Sequence, residues 1–180
     1  EIVGDTPVVS VADGKALFAG TSNAERTILR TVQSDFSDSD FVAEITLESM
    51  ADIAFVGMGL GEPAADPNSP AINMRIHDQG NNGLLSMRNH TDVPLLSLTS
   101  AASDANPIRI RFEWDADADF GRFLIDTDFN GVFAEEHTSD VLDATGNSFS
   151  SLNSQFFFGG SRDVEYDDLV ISFEDVSLAL

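Results

Sequence analysis

The chain has 180 residues, with 31 acidic against 9 basic side chains for a formal charge of −22, and no cysteine. Such a surface repels nucleic acid and anionic membranes, and the missing thiols exclude disulfides and thiolate metal sites. A hydrophobic fraction of 42% with 14 Phe supplies a core for one domain over residues 1–180, while no apolar run approaches the ~18 residues needed to cross a bilayer.

The opening "EIVGDTPVV" carries neither a charged n-region nor an apolar h-region, so no signal peptide is predicted there. The chain therefore reads as a mature form or an excised module. Short β-rich segments with period-two alternation follow one another. They are "ALFAG" (16–20), "RTILRTV" (26–32), "FVAEITLE" (41–48), "IAFVGMGLG" (53–61), "INMRIHD" (72–78), "LLSMRNH" (84–90) and "PLLSLTS" (94–100). After these come "IRIRFEWD" (108–115), "RFLIDTD" (122–128), "VFAEE" (132–136), "QFFFGG" (155–160) and "YDDLVISFEDVSL" (166–178). The connections, among them "GEPAADPNSP" and "DQGNNG", are built from turn residues. Only Ser139–Ser154 has room for a helical turn. Asp, at 21, outnumbers Glu, at 10, which fits turns and strand ends better than helices. About a dozen strands and no clear helix predict an all-β, two-sheet antiparallel β-sandwich of jelly-roll type.

The stretch Phe112–Gly131, "FEWDADADFGRFLIDTDFNG", concentrates carboxylates. "DTDFNG" matches the first half of an EF-hand loop through Asp126, Asp128, Asn130 and Gly131, but position twelve is His137 where a bidentate Glu is required. Asn-Gly between β-rich runs is also a strong signal for a hairpin with a type I′ turn, and that reading accounts for more of these residues. Asp115, Asp117 and Asp119 precede "RFLIDTD". They lie at its opposite end, about 20 Å away at ~3.3 Å per strand residue, so one ion cannot collect both groups. Asp-x-Asp-Phe recurs at 38–41, 117–120 and 126–129, which reads as local turn chemistry with Phe free to turn inward.

Three segments, in order, resemble the concanavalin A-like lectin/glucanase superfamily, above all its laminin-G-like jelly rolls. "FSDSDFVAEITLE" is similar to an early strand, "IRIRFEWDADADFGRFLIDTDFNG" to the central hairpin, and "FFFGGSRDVEYDDLVISFEDV" to the penultimate and closing strands. The resemblance implies two curved antiparallel sheets with a concave face open to ligand. Its members include lectins, carbohydrate-binding modules, glycoside hydrolases, polysaccharide lyases and protein-binding modules, so the fold does not select the function. It also implies a structural calcium near the closing strand, with Asp168 at the matching position and Asp13 as a neighbour. Asp167 competes for that role.

"EWDAD" resembles the Glu-x-Asp-x-Glu strand of the glucanase branch, where paired carboxylates cleave glycosidic bonds. Here the third position is Asp, and the strand sits where a scaffold strand is expected. "IHDQ" (76–79) is similar to the Gln-x-His strand of alginate lyases, without that family's companion strands. No nucleophile elbow, phosphate loop or His-Glu-x-x-His is present.

If Ile108, Ile110, Phe112 and Trp114 face the core, Arg109, Arg111 and Glu113 face out. The same alternation buries Ile72, Met74 and Ile76 and presents Arg75 and His77; burying Leu85 and Met87 presents Arg88 and His90. These outward residues read either as a solvated face stitched by ion pairs with Glu44, Glu48 and Glu113, or as a groove for sugar hydroxyls and the anionic groups of an acidic polysaccharide. "NHT" (89–91) also fits a glycosylation sequon.

The sequence thus leads to a non-catalytic carbohydrate-binding module of a secreted or cell-surface protein. Arg75, His77, Arg88, His90, Arg109, Arg111 and Glu113 are its expected ligand contacts. Calcium is expected at Asp168 and Asp13, or at Asp126, Asp128 and Asn130. The alternatives are a structural or protein-interaction domain of a larger surface protein, and a polysaccharide hydrolase or lyase. The expected partner is a glycan, with no nucleic acid and no membrane insertion.

Overall fold

A computed structural model of the protein describes residues 2–4, 8–19, 27–33, 35–50, 55–61, 71–77, 84–88, 94–99, 107–144, 154–160 and 164–179. Its strands are β1 (Ile2–Gly4), β2 (Val8–Ala12), β3 (Lys15–Ala19), β4 (Thr27–Arg30), β5 (Phe41–Ser49), β6 (Phe55–Gly61) and β7 (Ala71–His77). They continue as β8 (Leu84–Arg88), β9 (Pro94–Thr99), β10 (Ile108–Asp115), β11 (Phe120–Asp126), β12 (Leu142–Asp143), β13 (Gln155–Gly160) and β14 (Val164–Ser172). A five-stranded sheet in the order β1-β4-β13-β6-β7 packs on a seven-stranded sheet in the order β12-β11-β10-β5-β14-β3-β2, while β8 and β9 pair with each other. All strand pairs are antiparallel, so the expected all-β jelly-roll sandwich is what the chain forms.

Alternation fixes which faces meet. Ile108, Ile110, Phe112 and Trp114 on β10 are buried, and so are Phe41, Ala43, Ile45 and Leu47 on β5. The other sheet contributes Met58, Leu60, Ile72, Met74, Phe156 and Phe158. Rings fill the space between: Phe112 and Phe123 stack at 4.6 Å, Phe41 meets Phe112 and Phe156 edge-on, and Phe18, Phe158 and Tyr166 form a third group. Each fully buried Phe contributes about 1.5–3 kcal/mol. Gly159 lies where a Cβ would strike the Thr27 carbonyl, so only glycine fits between β4 and β13. Tyr166 donates its hydroxyl to the carbonyl of that glycine at 2.7 Å.

Two carboxylates fasten the chain end to the β10–β11 turn. Asp40 accepts the N–H of Ala116 at 2.8 Å and of Val176 at 2.9 Å. Asp115, buried, accepts the N–H of Ala118 at 3.0 Å and of Leu178 at 2.8 Å. These Asp residues serve the turn and the tail in place of side-chain caps elsewhere.

Several boundaries differ from those the sequence predicts. The segment 132–136 is no strand: residues 132–134 join no ladder, and Glu135–His137 form a 3₁₀ turn. The Asn-Gly pair consequently closes no hairpin. Its left-handed residues are Phe129 (φ 54°) and Gly131 (φ 85°), because the backbone wraps around the Asp126 carboxylate, which takes up local N–H groups. The Asp-Gly hairpin is instead at Asp13 and Gly14, both left-handed, joining β2 to β3. Strands β1, β2 and the short β12 were not among the predicted segments. The closing strand ends at Ser172 rather than 178, where Asp40 and Asp115 draw the tail away. Helical turns form at Phe36–Asp38 and Glu135–His137, and β12 falls within the segment expected to hold one, of which 145–153 lie outside the described residues.

Candidate functional site

The outer face of the seven-stranded sheet is built around β10. Arg109, Arg111 and Glu113 alternate with the core residues of that strand and point away from them. Register places Glu44 of β5 opposite Arg111, and Arg122 of β11 opposite Glu113. Arg111 donates Nη1–H to Glu44 Oε1 at 2.9 Å and Nε–H to Glu113 Oε1 at 2.9 Å. Arg122 donates to Glu113 Oε2 through both Nε, at 3.0 Å, and Nη2. Glu113 is therefore outward but only 8% exposed, clamped between two guanidinium groups.

After β11 the chain folds back over this face. Leu124 bridges to Thr138, and Ser139 exchanges hydrogen bonds with the Phe123 backbone at 2.8 and 2.9 Å. This return brings the Phe133 ring 5.8 Å from the Arg111 guanidinium and the Phe129 ring 5.0 Å from that of Arg109. Both distances are in the cation–π range. Arg109 pairs with no carboxylate among the described residues, and Phe129 remains 40% exposed. Farther along the same segment, Glu135, Thr138, Ser139, Asp140, Val141 and Ala179 line an open cleft of about 510 Å³.

The Phe129 loop is held from within. Asp126, 1% exposed, accepts the N–H of Asn130 at 3.2 Å on Oδ1 and of Gly131 at 2.7 Å on Oδ2. Asn130 in turn bonds the Asp128 carboxylate at 2.8 Å and accepts the Val132 N–H at 2.7 Å. Both Asp126 oxygens thus accept backbone donors, which shapes the loop around this carboxylate. The second expected calcium position is also differently occupied. Asp13 and Asp168 are exposed, left-handed turn and bulge residues, and it is Asp167 that approaches the Asp13–Gly14 turn. Beside it the Lys15 ammonium lies 3.0 Å from Glu165, 3.8 Å from Glu48 and 4.0 Å from Asp167. The hydrogen bond to Glu165 and the charge of these carboxylates raise the Lys15 pKa against a smaller desolvation cost. Among the described residues no group of three or more His, Cys, Asp or Glu side chains gathers as a metal site.

The expected ligand contacts do not all share one face. Arg109, Arg111 and Glu113 come together on β10, whereas Arg75 and His77 are carried by β7 in the other sheet and Arg88 by β8. The side chains of Arg75, His77 and Arg88, and the whole of His90, lie outside the described residues. Residues that sequence reasoning missed are Phe129, Phe133 and Arg122. The third Asp-x-Asp-Phe was a signal for Phe129, but its Phe turns outward, while Phe41 of the first is buried.

This arrangement of sheets is the concanavalin A-like lectin jelly roll. The chain matches the seed lectin of Lotus tetragonolobus with a TM-score of 0.64 and 11% identity over 98% of this chain and 94% of that one. It matches winged bean acidic lectin, complexed with methyl-α-D-galactose, at 0.63 and 8% over 95% and 90%. The exoplasmic/lumenal domain of VIP36, in a Ca²⁺- and mannose-bound form, matches at 0.62 and 8% over 100% and 85%. Compared by sequence, the chain matches no protein-family model and no curated protein.

Proposed function

We propose that residues 1–180 form one jelly-roll domain that binds carbohydrate without catalysis, on the outer face of the seven-stranded sheet. The observation that carries this reading is the exposed Phe129 ring backed by the Arg109 guanidinium. An apolar ring face in a hydrogen-bonded loop suits the C–H face of a pyranose, and the Arg109 cation beside it, which pairs with no carboxylate among the described residues, suits a sugar hydroxyl, carboxylate or sulfate. Hydroxyls and carboxylates of the neighbouring cleft add hydrogen-bond partners for sugar O–H groups. Arg111, Glu113, Glu44 and Arg122 form the rigid floor that holds this surface in register. Arg75 and His77, on the other sheet, fall outside this groove.

The solved lectins of similar fold include sugar-bound forms, which supports the ligand class. The VIP36 domain is exoplasmic or lumenal, which supports a secreted or cell-surface setting. The non-catalytic reading is supported by Glu113 being held between Arg111 and Arg122 as part of the charged floor.

A glycan array that includes uronic-acid and sulfated sugars tests the proposal. Wild-type protein is expected to retain a defined subset of glycans that Phe129→Ala and Arg109→Ala lose. Absence of any bound glycan, with and without calcium, would refute it.

A further inference from the structure

The last strand outruns its neighbour. On one side β3 pairs with Val164, Glu165 and Tyr166 of β14, and the β2–β3 hairpin then turns back at Asp13 and Gly14. That turn ends against β14, since a Cβ on Gly14 would lie 3.6 Å from Asp167 Oδ1. On the other side β5 accompanies β14 as far as Ser172. Residues 168–172 therefore have β5 along one edge and, among the described residues, no strand along the other. Such an edge presents backbone N–H and C=O groups to an incoming chain.

The same stretch is apolar and exposed. Leu169 is 40%, Val170 57% and Phe173 57% accessible. Large apolar side chains grouped at an open strand edge mark an interaction surface rather than scatter. Phe173 stands against Phe36 and Phe41, with ring centroids at 5.7 and 6.4 Å, so the patch is continuous with the core. Its rim is acidic: Asp167 and Asp168 precede it, Glu174 and Asp175 follow, and among these Asp167 alone has a described cation within 4.0 Å, Lys15.

We infer that the free edge of β14 is a docking strand for a partner protein that offers an extended segment in which Lys or Arg alternates with apolar residues. Charge complementarity selects that occupant. A second copy would bring the same acidic rim and a further charge of −22 against the first. The left-handed Asp168 bulge and the flanking carboxylates, which guard an edge against like chains, become contacts for a cationic one. The incoming backbone would extend the seven-stranded sheet, its apolar side chains would cover Leu169 and Val170, and its cations would meet the rim.

Titration calorimetry at low salt, with a synthetic peptide of alternating Lys and Val as probe, tests this on the whole chain. Binding is expected for this peptide. It should weaken at least about tenfold, the effect of losing one interface anchor, when Leu169→Lys and Val170→Lys are combined or when alternate peptide amides are N-methylated. The melting temperature should stay unchanged in the double variant, because these side chains are exposed. Equal binding to wild type and double variant, equal binding of a Glu–Val peptide, or no binding at all would overturn the inference. Concentration-dependent dimerisation abolished by Val170→Lys would overturn the choice of partner.

Discussion

The guanidinium of Arg109 lies 5.0 Å from the centroid of the Phe129 ring, and Phe129 holds its backbone at φ 54°. A bulky L-residue in that region costs roughly 1–2 kcal/mol, while the ring is left 40% exposed. Strain held at an exposed ring is expected where the ring is used. Phe129→Gly should therefore be more stable than Phe129→Ala by about 1 kcal/mol, since glycine accepts φ > 0 freely. Both should lose glycan binding. Equal stability of the two in urea would remove the argument from strain.

The loop that presents Phe129 depends on Asp126. Removing that carboxylate leaves the N–H groups of Asn130 and Gly131 without their acceptor. Asp126→Ala is expected to destabilise the protein by about 1–3 kcal/mol. Asp128→Ala, at an exposed position, should change stability by about 0.5 kcal/mol or less. Chemical unfolding of the two variants separates them.

Glu113 is the hub of the charged floor. Its loss strands Arg122 and leaves Arg111 with Glu44 alone; their side chains are 34% and 28% exposed. Water therefore offsets part of the damage, and Glu113→Ala should cost about 1–3 kcal/mol, below the range for deeply buried pairs. A polysaccharide whose turnover by the wild type disappeared in this variant would instead identify Glu113 as catalytic.

Lys15 supplies the cation among Glu48, Glu165 and Asp167. The melting temperature is accordingly expected to be the same with EDTA as with excess calcium. Stabilisation by a bound ion would make it rise with calcium concentration, and such a rise would show that the chain holds a calcium site.

The chain's single Tyr, Tyr166, is buried, and burial raises its hydroxyl pKa well above the ordinary value of 10.0. The folded state therefore binds this proton more tightly than the unfolded one. Its contribution is complete below pH 10 and is lost as pH rises beyond it. Tyrosinate absorbance should appear together with loss of near-ultraviolet ellipticity above that pH. Ionisation in a still-folded protein would show the ring to be accessible.

Local pattern was enough for the β10 alternation, because one buried face forces Ile108, Ile110, Phe112 and Trp114 inward. It also offered Glu44 and Glu113 as ion-pair partners of the outward arginines, as found, without saying which arginine each would meet. Pairing of Arg111 with Glu44 links residues 67 positions apart, and such register is set by the assembled sheet rather than by neighbours in the chain. For the same reason the outward residues of β7 and β10 read as one groove although the fold divides them between two sheets. Asn130–Gly131 misled because an Asp four residues before the Asn competes for the backbone N–H groups that a hairpin turn would organise differently. The β2–β3 hairpin, absent from the predicted segments, nonetheless follows the ordinary Asp-Gly rule at Asp13–Gly14.

The most direct measurement is calorimetric titration of wild type, Phe129→Ala and Arg109→Ala with the glycan that the array selects. Binding on the outer face of the seven-stranded sheet predicts that each variant keeps its fold and loses affinity by about tenfold or more, the effect expected of an anchor residue. Affinities equal to wild type in both variants would contradict it and move the site elsewhere on the molecule.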